Sequence, residues 1–460
     1  MTNKSIQTQS VPKLNDLLAT AMAHYHVPGV AVGILHRGEE HYAHLGVTNV
    51  AHPLAVDSDT LFQIGSTTKT FTGTTAMRLV EMGKLDLDAP IRTYLPDLAL
   101  KDEDVAARVT LRHVFTHTTG WLGDYFDDTG NGDDALAKIV ARMVDLPQLA
   151  PLGAIWSYCN SGYYLAGRVI EVVTGKTYEA AVKELVLDPL GMDHSFFFPA
   201  DVMTYRFASG HNVVGDEPVI ARPWALARAA HAAGALCSSA RDQLRYARFQ
   251  MGDGAAPDGA RLLAPESIAH MQTPRVAMDN MGGQIGVTWM VRDVGGVRTV
   301  AHGGATNGQL SAFLMVPQEG FAITVLTNAN RGGELHREVV NWALKHTFGV
   351  SEPEDVPLAL SDAETAPYLG RYTTALADTE LARRDGALWL IVTPKGGFPN
   401  KDSKPAAPPP PPMRAVFCGP DRLMVLDEPM KGVKGEFLRN PDGAIAWFRF
   451  GGRIRERMTG

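Results

Sequence analysis

Two strand-like stretches far apart in the chain bracket a long helical region, and this arrangement limits the folds open to the sequence. The first stretch is PGVAVGILHRGEEHYAHLGV, residues 28–47, in which Val30, Val32 and Ile34 alternate and Arg37-Gly38 can turn a hairpin. The second holds strand-like runs at 285–292, 297–301, 309–316 and 321–327, with the turns Gly295-Gly296 and Gln318-Glu319-Gly320 between some of them. Between the two stretches, residues 71–82, 133–145, 161–174 and 178–187 read as helices. An amphipathic helix at 12–26, with Leu14, Leu17, Leu18 and Ala21 at helical spacing, precedes the first stretch, and a helix near 334–347 follows the second. The simplest assembly is one antiparallel sheet built from both ends of residues 1–350 and flanked by helices. The central helical region becomes an insertion that forms the other wall of a cleft. The fold class expected is α/β in the α+β sense.

Residues 353–460 follow another pattern. The short runs LGRYTT, GALWLIV, AVFCG, RLMVL, GEFLRN and AIAWFRF recur, with Arg384-Asp385-Gly386 and Pro441-Asp442-Gly443 as turns. Regular short strands of this kind predict a small antiparallel β-barrel. The Pro-rich run at 405–412 is read as a stiff loop between two of its strands, because only 48 residues follow it.

The formal net charge is -7, and no basic stretch stands out, which argues against nucleic acid and anionic membranes as partners. The first residues, MTNKSIQTQSVPKLNDLL, lack an unbroken apolar segment of the signal-peptide kind, and a cytoplasmic location is expected. Three widely spaced cysteines, Cys159, Cys237 and Cys418, imply no disulfide framework.

Three short strings carry chemistry. In LFQIGSTTKTF, a helix is expected to start near Ser66, where backbone N–H groups favour negative charge. Lys69 follows three residues later on the same helical face, and a buried lysine beside a hydroxyl can lose its proton and act as a base. Read alone, the pair also fits a capping serine and a solvated lysine. In IWSYCNSGYY, Tyr158 can have its pKa lowered and shuttle a proton if it is held near a lysine, and Asn160 offers both a donor and an acceptor. In VAHGGATNGQL, the glycines after His302 let a backbone approach a ligand, and an N–H just beyond them can complete an oxyanion hole with that of Ser66. Read alone, these two strings also fit a core tyrosine with a capping asparagine and a glycine-rich hairpin with a surface histidine.

Taken together and in this order, the strings resemble the S-x-x-K, Y-x-N and K-T-G or H-x-G motifs of the serine β-lactamase and penicillin-binding-protein superfamily. The segments VTLRHVFTHTTGW, ELVLDPLGMDHSFF, AAGALCSSARDQLRYARF and VLTNAN resemble its class C-like branch, so that the likeness covers residues 12–348. The resemblance implies Ser66 as the acylated nucleophile, Lys69 as its base and Tyr158 as the proton relay. It also implies substrate contacts from Asn160, His302, Gly303 and Gly304, and an oxyanion hole from the N–H groups of Ser66 and Ala305. No cofactor or metal is called for. The C-terminal part resembles the lipocalin-like barrel appended to some peptidases of this superfamily.

His302 stands where many members have lysine. A neutral imidazole offers one hydrogen bond but no fixed charge for a substrate carboxylate, so β-lactamase activity is expected to be weak. Members with H-x-G include D-aminopeptidases, D-amino-acid amidases and esterases. The expected function is a D-aminopeptidase-like peptidase or amidase acting on small peptides or amides, with a carboxylesterase as the alternative. A non-enzymatic alternative is an acylated sensor that does not turn over. A small ester, amide or short peptide is the expected partner, and a homo-oligomer is compatible with the sequence. His113 and His117 are spaced for one helical face, but Val114 stands where a zincin helix needs glutamate, so a packing or capping role is expected. Cys159 is expected to be a buried thiol. The barrel is expected to be separable by a cut near Glu352, leaving a folded hydrolase with an altered substrate range.

Overall fold

The computed structural model describes residues 10–278, 282–353, 355–405 and 408–458. Helix α1 (Ser10–Tyr25) leads into strands β1 (Gly29–His36) and β2 (Glu39–Gly46). After α2 (Thr68–Glu81), α3 (Leu111–Phe115), α4 (Ser161–Thr174) and α5 (Ala240–Met251), the chain returns in strands β3 (Val276–Ala277), β4 (Gln284–Ile285), β5 (Met290–Val294), β6 (Val297–Ala305), β7 (Leu310–Val316) and β8 (Phe321–Thr327). Helix α6 (Gly332–Phe348) closes this part. The eight strands form one antiparallel sheet in the order β2-β1-β8-β7-β6-β5-β4-β3. Val30 pairs with Thr327 and Ile34 with Ile323, so the two ends of the region meet at the β1–β8 ladder.

Strand β1 is buried on both faces, and its side chains divide by alternation. Val30, Val32 and Ile34 pack with Leu14 and Leu18 of α1 and Leu335 and Val339 of α6. Ala31 and Leu35 join the opposite core with Phe71, Tyr163 and Leu244. That second core lies between the sheet and the helical region, and the cleft opens at its edge.

Several element boundaries differ from the sequence reading. The run 285–292 is two strands, broken around Thr288, which adopts φ +69. Strand β6 runs on to Ala305, well beyond 301. The helix at 178–187 is α only over Tyr178–Val182 and continues as a π-turn over Lys183–Leu187. Ser66 lies in a 3-10 turn, Gly65–Thr67, with the α-helix beginning at Thr68. All three cysteines are free thiols.

The C-terminal strands β9 (Gly370–Thr373), β10 (Ala377–Arg384), β11 (Ala387–Pro394), β12 (Met413–Gly419), β13 (Arg422–Val425), β14 (Lys434–Arg439), β15 (Ile445–Phe450) and β16 (Arg453–Arg457) close into a barrel. The closing ladder pairs Tyr372 with Arg457 and Thr373 with Glu456. Aromatic rings fill the interior, with Phe437 stacked on Phe448 at 4.6 Å. The Pro-rich run lies between β11 and β12; its Ala406 and Ala407 are outside the described residues. No helix among the described residues is long and apolar enough to cross a membrane.

The barrel is fastened to the segment that leads into α4. Trp447 Nε1 donates to Leu149 O at 3.1 Å, and Arg449 Nη1 to Trp156 O at 2.8 Å. The Tyr158 N–H donates to Gly452 O at 2.8 Å, and the Ile454 N–H to Ser157 Oγ at 3.2 Å. A second attachment runs from the loop after β11, where Phe398 meets Phe126 edge-on at 5.0 Å and the Lys401 N–H donates to Phe126 O at 2.6 Å. These bonds are the ones that a cut near Glu352 would remove.

Candidate active site

The turn carrying Ser66 is clamped from two sides. Ile64 N–H donates to Leu236 O at 2.9 Å, and Ser311 Oγ on β7 donates to Ile64 O at 2.7 Å. Thr67 Oγ1 and Ser311 Oγ share a further bond of 2.9 Å. Two glycines allow β6 to approach. A Cβ on Gly304 would lie 1.9 Å from Ile64 O and 2.7 Å from Ser66 N, and one on Gly65, at φ +52, would lie 2.4 Å from Ala305 N. Any larger residue would push strand and turn apart. The amides of Ser66 and Ala305 therefore come close at the floor of the cleft, where two N–H groups can stabilise a developing oxyanion.

Lys69 is fully buried in the first turn of α2. Its Nζ lies 3.0 Å from Ser66 Oγ, 2.7 Å from Asn160 Oδ1 and 2.5 Å from Ala233 O. The amine also sits 5.0 Å and 5.1 Å from the ring centres of Tyr158 and Tyr163. Burial, and secondarily the charge of Arg453, holds its pKa well below the ordinary value, against the opposing pull of Asp124. In the neutral form, two N–H groups satisfy Asn160 and Ala233, and the lone pair faces Ser66.

Tyr158 is 7% exposed, and its ring is flanked by the His117 ring at 4.3 Å and the Arg453 guanidinium at 4.7 Å. A neighbouring lysine can lower the pKa of a tyrosine. Burial instead raises it well above the ordinary value and outweighs Ser66 and Arg453, which pull it down. A phenol held protonated in this way can deliver a proton.

Asn160 is fixed at both ends. Its Oδ1 accepts a hydrogen bond from Lys69 Nζ at 2.7 Å, and its Nδ2 donates to Asp124 Oδ1 at 2.8 Å. A carboxylate only accepts, so Asp124 sets the orientation of the amide. Asp124 in turn pairs with Arg453 Nε at 3.0 Å.

His302 on β6 is 2% exposed and lines the cleft with Gly303 and Gly304. Its Nδ1–H donates to Gly303 O at 2.6 Å, and Nε2 has no partner among the described residues. Burial, helped by Lys69, pushes its pKa down to about 3. The ring therefore presents an accepting lone pair, where the sequence reading expected a donor.

The cleft encloses about 520 Å³. Ser66, Tyr158, Asn160 and His302 line one part, and the barrel supplies Leu376, Phe398, Gly451, Gly452 and Arg453. The other histidines of interest take structural roles. His113 closes a capping box with Thr110, and His117 Nδ1 accepts the Cys159 N–H at 3.0 Å. Cys159 is buried, with a thiol pKa raised by that burial. Sequence reasoning missed Asp124 and Arg453, which belong to no recognisable string, and it gave Ala233 no role although that residue lies within AAGALCSSARDQLRYARF.

The family model described as Beta-lactamase matches residues 14–347. Penicillin-binding protein 4 of Amycolatopsis lactamdurans is 35% identical over 76% of this chain and 93% of its own. A beta-lactamase of Yersinia enterocolitica is 25% identical over 71% of this chain and 89% of its own. Among solved structures, SurE with D-Leu superposes with a TM-score of 0.74 at 23% identity, covering 98% of this chain and 100% of that one. The octameric penicillin-binding protein homologue from Pyrococcus abyssi gives 0.64 at 22% identity over 97% and 99%.

Proposed function

Since this chain belongs to the β-lactamase and penicillin-binding-protein superfamily of serine hydrolases, we propose that it cleaves small amides or short peptides through an acyl-enzyme on Ser66. The observation that carries this reading is the 3.0 Å contact between Ser66 Oγ and the buried amine of Lys69.

In this reading, Ser66 Oγ attacks the carbonyl carbon as Lys69 Nζ takes its proton. The N–H groups of Ser66 and Ala305 hold the oxyanion. Tyr158 gives its phenolic proton to the leaving nitrogen and is reprotonated from Lys69. Water then enters, loses a proton along the same path and releases the acid. His302, Gly303 and Gly304 border the substrate on β6, and Asn160 serves the acyl side. Before substrate enters, Asn160 holds Lys69, so an acyl-side contact requires the amide to share its bonds.

Amide cleavage is preferred over ester cleavage because Tyr158 is held protonated. An amine leaving group needs that proton, whereas an activated alkoxide does not. Two features speak against carboxylate-bearing substrates: His302 is neutral, and Arg453 is already paired with Asp124.

The test is a fluorophosphonate probe followed by a panel of p-nitrophenyl esters, D- and L-aminoacyl amides and nitrocefin. Labelling at Ser66, lost in Ser66→Ala, together with turnover of amides, is the expected result. Labelling at another residue refutes the assignment, and turnover of esters alone moves it to the carboxylesterase alternative.

A further inference from the structure

We propose that Arg453, which the barrel carries into the cleft at the start of β16, is a positioning residue for the groups that activate Ser66. The proposal rests on the reading of Ser66 as the acylated nucleophile. Arg453 touches none of the reacting atoms and works through two neighbours.

The first neighbour is Asp124. Arg453 Nε and Nη2 face its two carboxylate oxygens at 3.0 Å and 3.5 Å, and Arg453 Nη1 donates to Gly451 O at 3.0 Å. Asp124 is 8% exposed, and it receives Asn160 Nδ2 at 2.8 Å. Asn160 then accepts from Lys69 at 2.7 Å. A chain of hydrogen bonds, charge-assisted at Asp124, thus runs from the barrel to the amine beside Ser66. Without the guanidinium, a buried carboxylate would lose its counter-charge next to the amide it orients.

The second neighbour is Tyr158. The guanidinium covers its ring at 4.7 Å, and the preceding residue, Gly452, accepts the Tyr158 backbone N–H at 2.8 Å. One turn of the barrel therefore fixes both the backbone and the ring of the same residue.

The two charges also act on protonation. Tyr158 and Lys69 are surrounded by Arg453 from the barrel, Asp124 from the loop before α4, His117 from the end of α3, Cys159 and Tyr163 at the start of α4, and His302 from β6. Within that set, Arg453 pulls the pKa of both Lys69 and Tyr158 down, and Asp124 pushes both up. Removing the positive member alone makes Lys69 harder to deprotonate. Removing both members returns it toward the starting point.

The test follows the rate of fluorophosphonate labelling against pH. In that reaction Ser66 Oγ bonds phosphorus, fluoride leaves, and the serine proton passes to Lys69. Arg453→Gln is expected to move the acidic limb of the profile upward by roughly one pH unit, which is about tenfold slower labelling below the limb and recovery above it. Arg453→Lys, which keeps the charge but loses the fork, is expected to leave the limb in place with a lower rate at every pH. Asp124→Asn added to Arg453→Gln is expected to bring the limb back toward wild type. A limb in Arg453→Gln that coincides with wild type overturns the proposal, even if the rate falls uniformly. Should Arg453→Gln not fold, a displaced limb in Arg453→Lys overturns it instead. Absence of labelling in the wild type overturns the acyl-enzyme reading and, with it, this one.

Discussion

The backbone N–H of Tyr158 donates to the carbonyl of Gly452 at 2.8 Å, so the phenol beside Ser66 is anchored by the barrel. Arg449 adds a bond to Trp156 O at 2.8 Å, two residues earlier. Deleting the barrel by a cut near Glu352 is therefore expected to lower turnover by about 10²-fold or more, since small misplacements at a reacting centre cost that much. Turnover and thermal melting of the truncated chain check this. Full activity with only a changed substrate range is the outcome that a separable barrel gives.

Lys69→Arg places a guanidinium that cannot deprotonate where a buried amine can. The expected loss in turnover is roughly 10²–10⁴-fold at every pH tested. In the wild type, the folded pKa of Lys69 is depressed, so activity rises as pH rises through a value below the ordinary lysine range. A profile that rises only above pH 10 would mean the amine is not a neutral base.

Tyr158→Phe removes the proton that an amine leaving group requires and keeps the ring between His117 and Arg453. Amide hydrolysis is expected to fall by roughly 10²–10⁴-fold, and hydrolysis of p-nitrophenyl esters by much less. Equal losses on both substrates would assign Tyr158 to a step that the two share.

His302, with a pKa near 3, stays neutral from pH 5 to 9. Selectivity against carboxylate-bearing substrates is therefore expected to stay flat across that range. His302→Lys is expected to improve kcat/KM for such substrates relative to uncharged amides by roughly 10–100-fold. A selectivity that already titrates near pH 6 in the wild type would show that the imidazole gains a proton in the working enzyme.

Much of the frame was legible because it rests on local patterns. The alternation of Val30, Val32 and Ile34 marks β1, and 161–174 coincides with α4. Ser66, Lys69, Tyr158 and Asn160 stood out as strings; Ser66, Tyr158 and Asn160 line the cleft, and Lys69 is buried behind them against Ser66 and Asn160. Features set by distant packing were not legible. The break at Thr288 comes from a single φ of +69, to which no alternation pattern points. Asp124 and Arg453 gain their importance from each other across the barrel contact, and neither sits in a marked motif. The direction of the Tyr158 pKa was hidden for the same reason. Lys69 is far from Tyr158 in the chain, so their closeness came only through the family resemblance, and the burial that dominates the pKa was not legible at all.

The barrel's closing strand, β16, begins with the residue that lines the cleft and ends in the ladder with β9. A molecule that fills the cleft touches Phe398 or Arg453 as well as Ser66, so part of its affinity exists only while the barrel is docked. Thermodynamic reciprocity then requires the molecule to return the same coupling to the barrel. Amides of β16 should exchange with solvent more slowly once the cleft is occupied, and loosening the barrel's seam should speed the escape of a reversible inhibitor. The far side of the barrel thereby becomes a place from which the cleft can be tuned without entering it.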